Sequence, residues 1–326
     1  MTRQILGFLL LLPFRLIAFL LGLWCFGALW YCAGERLETR VGWALIFTGG
    51  YLAVWWFVRF RYRAWGYFLM ALPVMVFFAS IRPDPATVYR TPWARQAEFV
   101  FDGRFVTIRN LRDFRYRTPE DYEVRYREET FDLDKASKLY LAVSHWDGLE
   151  NIAHTLLSFE FSDGKYVALS VETRVPVDRE QGSLPGLFKQ FGLGMIFGTE
   201  SDLLKLRATY RGETIYLYPT TATPEAVRTA FLNLARRADR LSRQPEFYNT
   251  LTGNCTTVLI PPLRPILLDW QVDLRAIFNG LIDHLAFEKG YLDFGGSRDF
   301  FAAKKQYLIS ADHPESGDAY SRAIRH

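Results

Sequence analysis

The chain holds a thiol, an imidazole and a carboxylate at positions that suit one chemistry: Cys255, His154 and Glu172. Cys25 and Cys32 fall in a long apolar run near the N-terminus, so neither is expected to reach Cys255. A lone thiol in an oxidising compartment is an inert buried group, an intermolecular partner or a reactive nucleophile. Gly253-Asn254-Cys255-Thr256-Thr257 reads as a tight turn running into Val258-Leu259-Ile260. If Cys255 opens a short helix there, the free N–H groups at the helix start stabilise its thiolate. The same groups, with Asn254 as support, can hold an oxyanion.

A nucleophilic thiol needs a base. His313 and His326 lie in a polar tail, His284 sits among Leu281, Ile282 and Leu285, and His145 lies in Ser144-His145-Trp146-Asp147-Gly148. His154 starts a strand-like run, His154–Phe161. That run and Lys165–Thr173 flank Ser162-Asp163-Gly164, a hairpin signal. A three-residue loop pairs Phe161 with Lys165, and the same register sets His154 opposite Glu172. Opposed side chains share one face, with Cβ atoms about 5 Å apart. A carboxylate there can fix the imidazole tautomer and raise its basicity. A half-exposed cross-strand ion pair with no chemistry fits the same spacing. Leu157, Phe159, Phe161, Val167, Leu169 and Val171 take the other, core face.

Other strand-like runs are Phe99–Ile108, Tyr122–Leu133, Leu139–Val143, Leu203–Tyr210 and Glu213–Tyr218. A helix follows. Thr223 is its N-cap, Pro224 its first residue, and Val227, Ala230, Phe231, Leu234, Ala238 and Leu241 recur at helical spacing. A second helical stretch lies near Leu274–His284. The class is α+β.

Upstream stand three uncharged runs, 16–34, 41–58 and 64–81. At about 18 residues each they read as three membrane helices. Residues 1–81 carry seven Arg and two Glu, and the remaining residues are close to neutral. The positive charge is thus on the apolar part, which argues against a nucleic-acid-binding domain. Arg59, Arg61 and Arg63 place their loop, and with it the N-terminus, in the cytoplasm. Residues 82–326 are then exported, periplasmic in a Gram-negative bacterium. The expected organisation is an anchor at 1–81 in the bacterial inner membrane, a linker at 82–98, a domain at 99–310 and a frayed tail at 311–326.

The strings ENIAHTLLSFEFSDGKYVALSVETR and NTLTGNCTTVL, with the upstream NLRDFRYRTPEDYEVRYREETFDL, resemble the Lnb N-terminal periplasmic domain family over roughly residues 105–265. The His-before-Cys order is also similar to circularly permuted papain-like folds of the NlpC/P60 superfamily. The resemblance implies Cys255 as nucleophile, His154 as base and Glu172 as orienter. It further implies a Cys-dependent acyl transfer to bacterial lipoproteins. The expected function is thus a membrane-anchored cysteine acyltransferase working through a thioester, with a phospholipid acyl donor, a lipoprotein acceptor and the bilayer as partners. The alternatives are a cell-wall cysteine peptidase or amidase, and a non-catalytic assembly module. Ser183–Gly198, apolar and glycine-rich, reads either as a lid at the interface or as a buried loop. Arg109, Arg112, Arg115 and Arg117 suit anionic headgroups, or pairing with the acids that follow them. No metal-ligand spacing, phosphate loop or dinucleotide fingerprint points to a metal or cofactor.

Overall fold

The computed structural model describes residues 2–146, 152–267, 273, 275 and 279–325. The chain divides into two compact units, Met1–Asp84 with Gln181–Gln190, and Pro85–Glu180 with Phe191–His326.

The first unit contains α1 (Thr2–Cys32), α2 (Leu37–Phe57) and α3 (Arg63–Ser80). Two stretches, Leu12–Cys32 and Phe60–Ser80, are long and apolar enough to cross a bilayer. This corrects the expected three. The run 41–58 is uncharged and helical, but Trp43, Gly49, Gly50, Tyr51, Trp55 and Trp56 dilute its apolar character. Residues 181–190 belong to this unit. Phe188 packs against α1, where a Cβ on Gly27 would lie 2.2 Å from its ring. Lys189 Nζ donates to the carbonyls of Phe78 (2.6 Å) and Ile81 (3.0 Å). A lysine there satisfies carbonyls that the end of α3 leaves without helical partners. The expected lid therefore divides, because 192–198 has a different fate.

The second unit is a mixed sheet of eight strands among the described residues. They are β1 (Glu98–Asp102), β2 (Phe105–Arg112), β5 (Tyr126–Asp132), β6 (Ala136–His145), β7 (Ala153–Phe161), β8 (Tyr166–Arg174), β9 (Gly192–Gly198) and β10 (Thr214–Pro219). The order is β1-β2-β9-β8-β7-β6-β10, with β5 also on β2. A small separate ribbon pairs β3 (Arg115–Tyr116) with β4 (Tyr122–Glu123). The run Phe99–Ile108 is not one strand but a hairpin, turned at Gly103 with φ +56°. β9 is buried along its length despite three glycines. Gly194 is required where it stands, since a Cβ would come 2.8 Å from Arg174 Cγ.

Both faces of the sheet are covered. On one, Phe131, Phe159, Phe161 and Phe197 pack against Phe231 of α5 (Pro224–Arg243). Thr223 caps α5 by accepting from Ala226 N–H at 3.3 Å. Thr223→Ala is expected to cost about 1 kcal/mol, read as a lower denaturant midpoint at unchanged m-value.

On the other face lie α4 (Glu200–Lys205), a π-helical turn at Leu206–Tyr210 and α8 (Gly317–Ala323). Two expectations fail here. Leu203–Tyr210 is helical because Thr199 caps α4, accepting from Asp202 N–H. The polar tail does not fray, because Tyr320 is fully buried and Arg325 pairs with the buried Glu200. Arg112 is likewise committed, forming a two-pronged pair with Asp202 at 2.9 and 2.8 Å. Arg109 pairs with Glu128 and Arg117 with Asp121, so these three arginines are paired charge. Two short helices, α6 (Ile282–Glu288) and α7 (Phe300–Ala303), complete the unit. The expected helix at 274–284 overlaps α6, and much of it lies outside the described residues.

Candidate active site

The hairpin β7–β8 takes the register that a three-residue loop imposes. Phe161 and Lys165 close the turn at 2.9 Å, and the ladder runs from Glu160↔Tyr166 to Leu156↔Ser170. It stops there, although β7 reaches back to Ala153 and β8 continues to Arg174. The sulfur of Cys255 enters where the ladder stops and accepts the backbone N–H of Thr155. Thr155 and Thr256 hydroxyls meet at 3.0 Å and fix the turn against the strand.

Cys255 is not at the start of a regular helix. Residues 254–267 form successive turns (Val258 N–H to Asn254 O at 3.2 Å, Leu263 N–H to Leu259 O at 3.2 Å), interrupted by Pro261 and Pro262, which lack a donor. Asn254 shapes the first of these turns. Its Oδ1 accepts from Thr256 and Thr257 N–H (3.0 and 2.9 Å), and its Nδ2 donates to Thr250 O (3.1 Å). Its side chain is thus spent on support of the turn.

His154 is buried beside Cys255, and the two side chains share a hydrogen bond. His154 Nε2 lies 2.6 Å from Ser170 Oγ and 3.4 Å from Glu172 Oε1. Ser170 Oγ donates to Glu172 Oε1 at 2.6 Å. The serine hydroxyl therefore stands between imidazole and carboxylate, and Nδ1 is the nitrogen left for the sulfur. Sequence reasoning missed Ser170, although the hairpin register that matched His154 to Glu172 also put Ser170 on their face.

The electrostatics favour an ion pair. Burial alone would push the Cys255 thiol up, but His154 and the Thr155 N–H outweigh it and hold the thiol below its usual range. Burial and Arg207 push His154 down, but Glu172 and Cys255 together hold the imidazole above its ordinary value. Burial opposes ionisation of Glu172 as well. His154, Arg207 and Ser170 overcome that and keep the carboxylate far below its usual range. A thiolate facing an imidazolium can attack a carbonyl carbon and then return the proton to a leaving group.

Thr155 and Thr256, the chain neighbours of His154 and Cys255, line a cavity of about 70 Å³ whose lining is apolar and runs past Leu141, Leu157, Leu259 and Leu263 to Tyr291. A single water needs roughly 10–15 Å³ on the same measure, so several methylene groups fit.

The remaining described histidines have other partners. His145 Nε2 lies 3.8 Å from Asp283, and His284 packs on Phe300 and Phe301. His313 pairs with Glu315, and His326 lies outside the described residues, as does the Asp147-Gly148 turn. Among the described residues no group of three His, Cys, Asp or Glu is placed to hold a metal ion.

The fold and site together define an α+β domain that gathers cysteine, histidine and carboxylate at one end of a mixed sheet. Residues 122–279 match the model of the Lnb N-terminal periplasmic domain. No curated protein and no solved structure matches the chain.

Proposed function

We propose that the chain is a membrane-anchored cysteine acyltransferase whose catalytic domain faces the periplasm. The observation that carries this reading is the buried Cys255–His154 pair, whose chain neighbours Thr155 and Thr256 line an apolar cavity. The thiolate attacks the carbonyl carbon of an acyl ester. The ester C–O bond breaks, the leaving alkoxide takes the proton of His154, and a thioester remains on Cys255. An amine then attacks the thioester, His154 accepts the proton it sheds, and the thiolate is released. Glu172, through Ser170, orients the imidazole for both transfers. A phospholipid donor and a lipoprotein acceptor suit this chemistry, because the apolar cavity fits a hydrocarbon chain.

The apolar lining favours acyl transfer over a cell-wall peptidase, which needs a polar cleft. A non-catalytic module would leave Cys255 remote from His154, and the two adjoin. The order His154, Ser170–Glu172, Cys255 suits a permuted papain-like layout. The two long apolar helices support an anchor in the inner membrane.

Intact mass spectrometry of the full chain, incubated with phospholipid vesicles, tests the reaction. Wild type is expected to gain a fatty-acyl mass that hydroxylamine removes, and Cys255→Ala and His154→Ala to gain none. A wild-type protein that carries no adduct would overturn the acyl-enzyme.

A further inference from the structure

Behind the carboxylate stands a second buried charge that the mechanism above does not use. Arg207 lies in the π-helical turn Leu206–Tyr210 and is almost wholly buried. Its NH2 donates to Glu172 Oε1 at 2.8 Å, and its NH1 reaches Glu213 Oε2 at 3.4 Å. Glu213 accepts the hydroxyl of Ser144 and lies 3.6 Å from Arg211. Ser144 in turn pairs with His154 across β6 and β7. The groups close a ring around the imidazole: His154, Ser170, Glu172, Arg207, Glu213, Ser144. A π turn is uncommon and marks functional sites more often than chance. Here the turn carries a guanidinium that contacts two carboxylates, Glu172 and Glu213.

We propose that Arg207 is a positioning residue of the site: it fixes Glu172 against Ser170 and His154, and partly neutralises the carboxylate that faces the imidazole.

An unopposed Glu172 would hold the imidazolium proton tightly and make His154 a poor donor to a leaving group. Arg207 limits that hold, since its own charge opposes a second positive charge on His154. Glu213 tempers Arg207 in the same way from the far side. The charged and titratable groups around His154 are Cys255 from the turn, Glu172 from β8, Arg207 and, through it, Glu213 and Arg211. Tyr248, hydrogen-bonded to Thr173, and Arg112 act on Cys255 and Glu172 from farther off.

The inference rests on the thiolate–imidazolium reading, and one experiment separates the two. Chloroacetate alkylation of Cys255 is followed against pH by peptide mass, on the full chain in detergent. The anionic reagent needs the imidazolium, so the rate rises as the thiol ionises and falls as His154 loses its proton. Arg207→Met is expected to move the alkaline limb up by about one pH unit, a tenfold change in proton affinity. Glu213→Gln leaves Arg207 untempered and is expected to move that limb down. Arg207→Lys keeps the charge and is expected to stay near wild type. Limbs that coincide with wild type in folded Arg207→Met and Glu213→Gln overturn the proposal. If Arg207→Met is recovered only unfolded, the shift in Glu213→Gln decides. A wild-type chain without a bell overturns the ion pair itself.

Discussion

His154→Ala will strip Cys255 of its reactivity on the acidic limb of its labelling profile. In the wild-type chain the thiol lies below its usual range and the imidazole above its own, and both shifts favour the thiolate–imidazolium pair. Iodoacetamide is therefore expected to label Cys255 at lower pH than it labels an unperturbed thiol. Without the imidazole, burial and the charge of Glu172 both oppose the thiolate, and only the Thr155 N–H still favours it. The sign follows directly. The acidic limb of the labelling profile moves to higher pH, and the rate at a pH on the wild-type acidic limb falls at least tenfold. Labelling is read on the Cys255 peptide, which keeps Cys25 and Cys32 out of the signal. Equal rates in the two proteins would show that His154 does not ionise the thiol.

Arg325→Met will destabilise the sheet-bearing unit by about 3–5 kcal/mol, the usual cost of stranding one partner of a buried ion pair. Glu200 has no exposed surface, and Arg325 grips both of its oxygens at 2.8 and 2.9 Å. The guanidinium also lies over the rings of Tyr140 and Tyr166. The double variant with Glu200→Gln removes the stranded charge and is expected to recover much of the loss. Denaturant midpoints of the two single variants and the double variant form the cycle. An unchanged midpoint in Arg325→Met would show that α8 does not hold the second face of the sheet.

The hairpin was legible because alternation and loop length together leave one register, and that register is a matter of counting. It brought His154, Ser170 and Glu172 to one face before any coordinate was known. Thr223 and Pro224 announced α5 for similar reasons, being local signals with local effects. What stayed hidden was long-range. Arg207 lies 35 residues beyond Glu172, in a run that alternates like a strand, and only the Thr199 cap turns it helical. The buried strand β9 was obscured by glycines whose reason is Arg174, on the neighbouring strand. Polarity after Ser310 suggested fraying, because a sequence does not show that Glu200 waits for Arg325. The run 41–58 passed a test of charge and length, while its tryptophans and glycines weakened the apolar content that spanning also needs.

The early end of the β7–β8 ladder places a backbone donor in the chemistry. Thr155 gives its N–H to a sulfur instead of to a neighbouring strand. Selection for robustness alone would zip the two strands further, since each added rung satisfies a buried group. Such a protein would resist heat better and would have closed the gap into which Cys255 fits. Thermostabilised variants should therefore be chosen away from residues 153–156 and 170–174, where gains in sturdiness are drawn from the site itself.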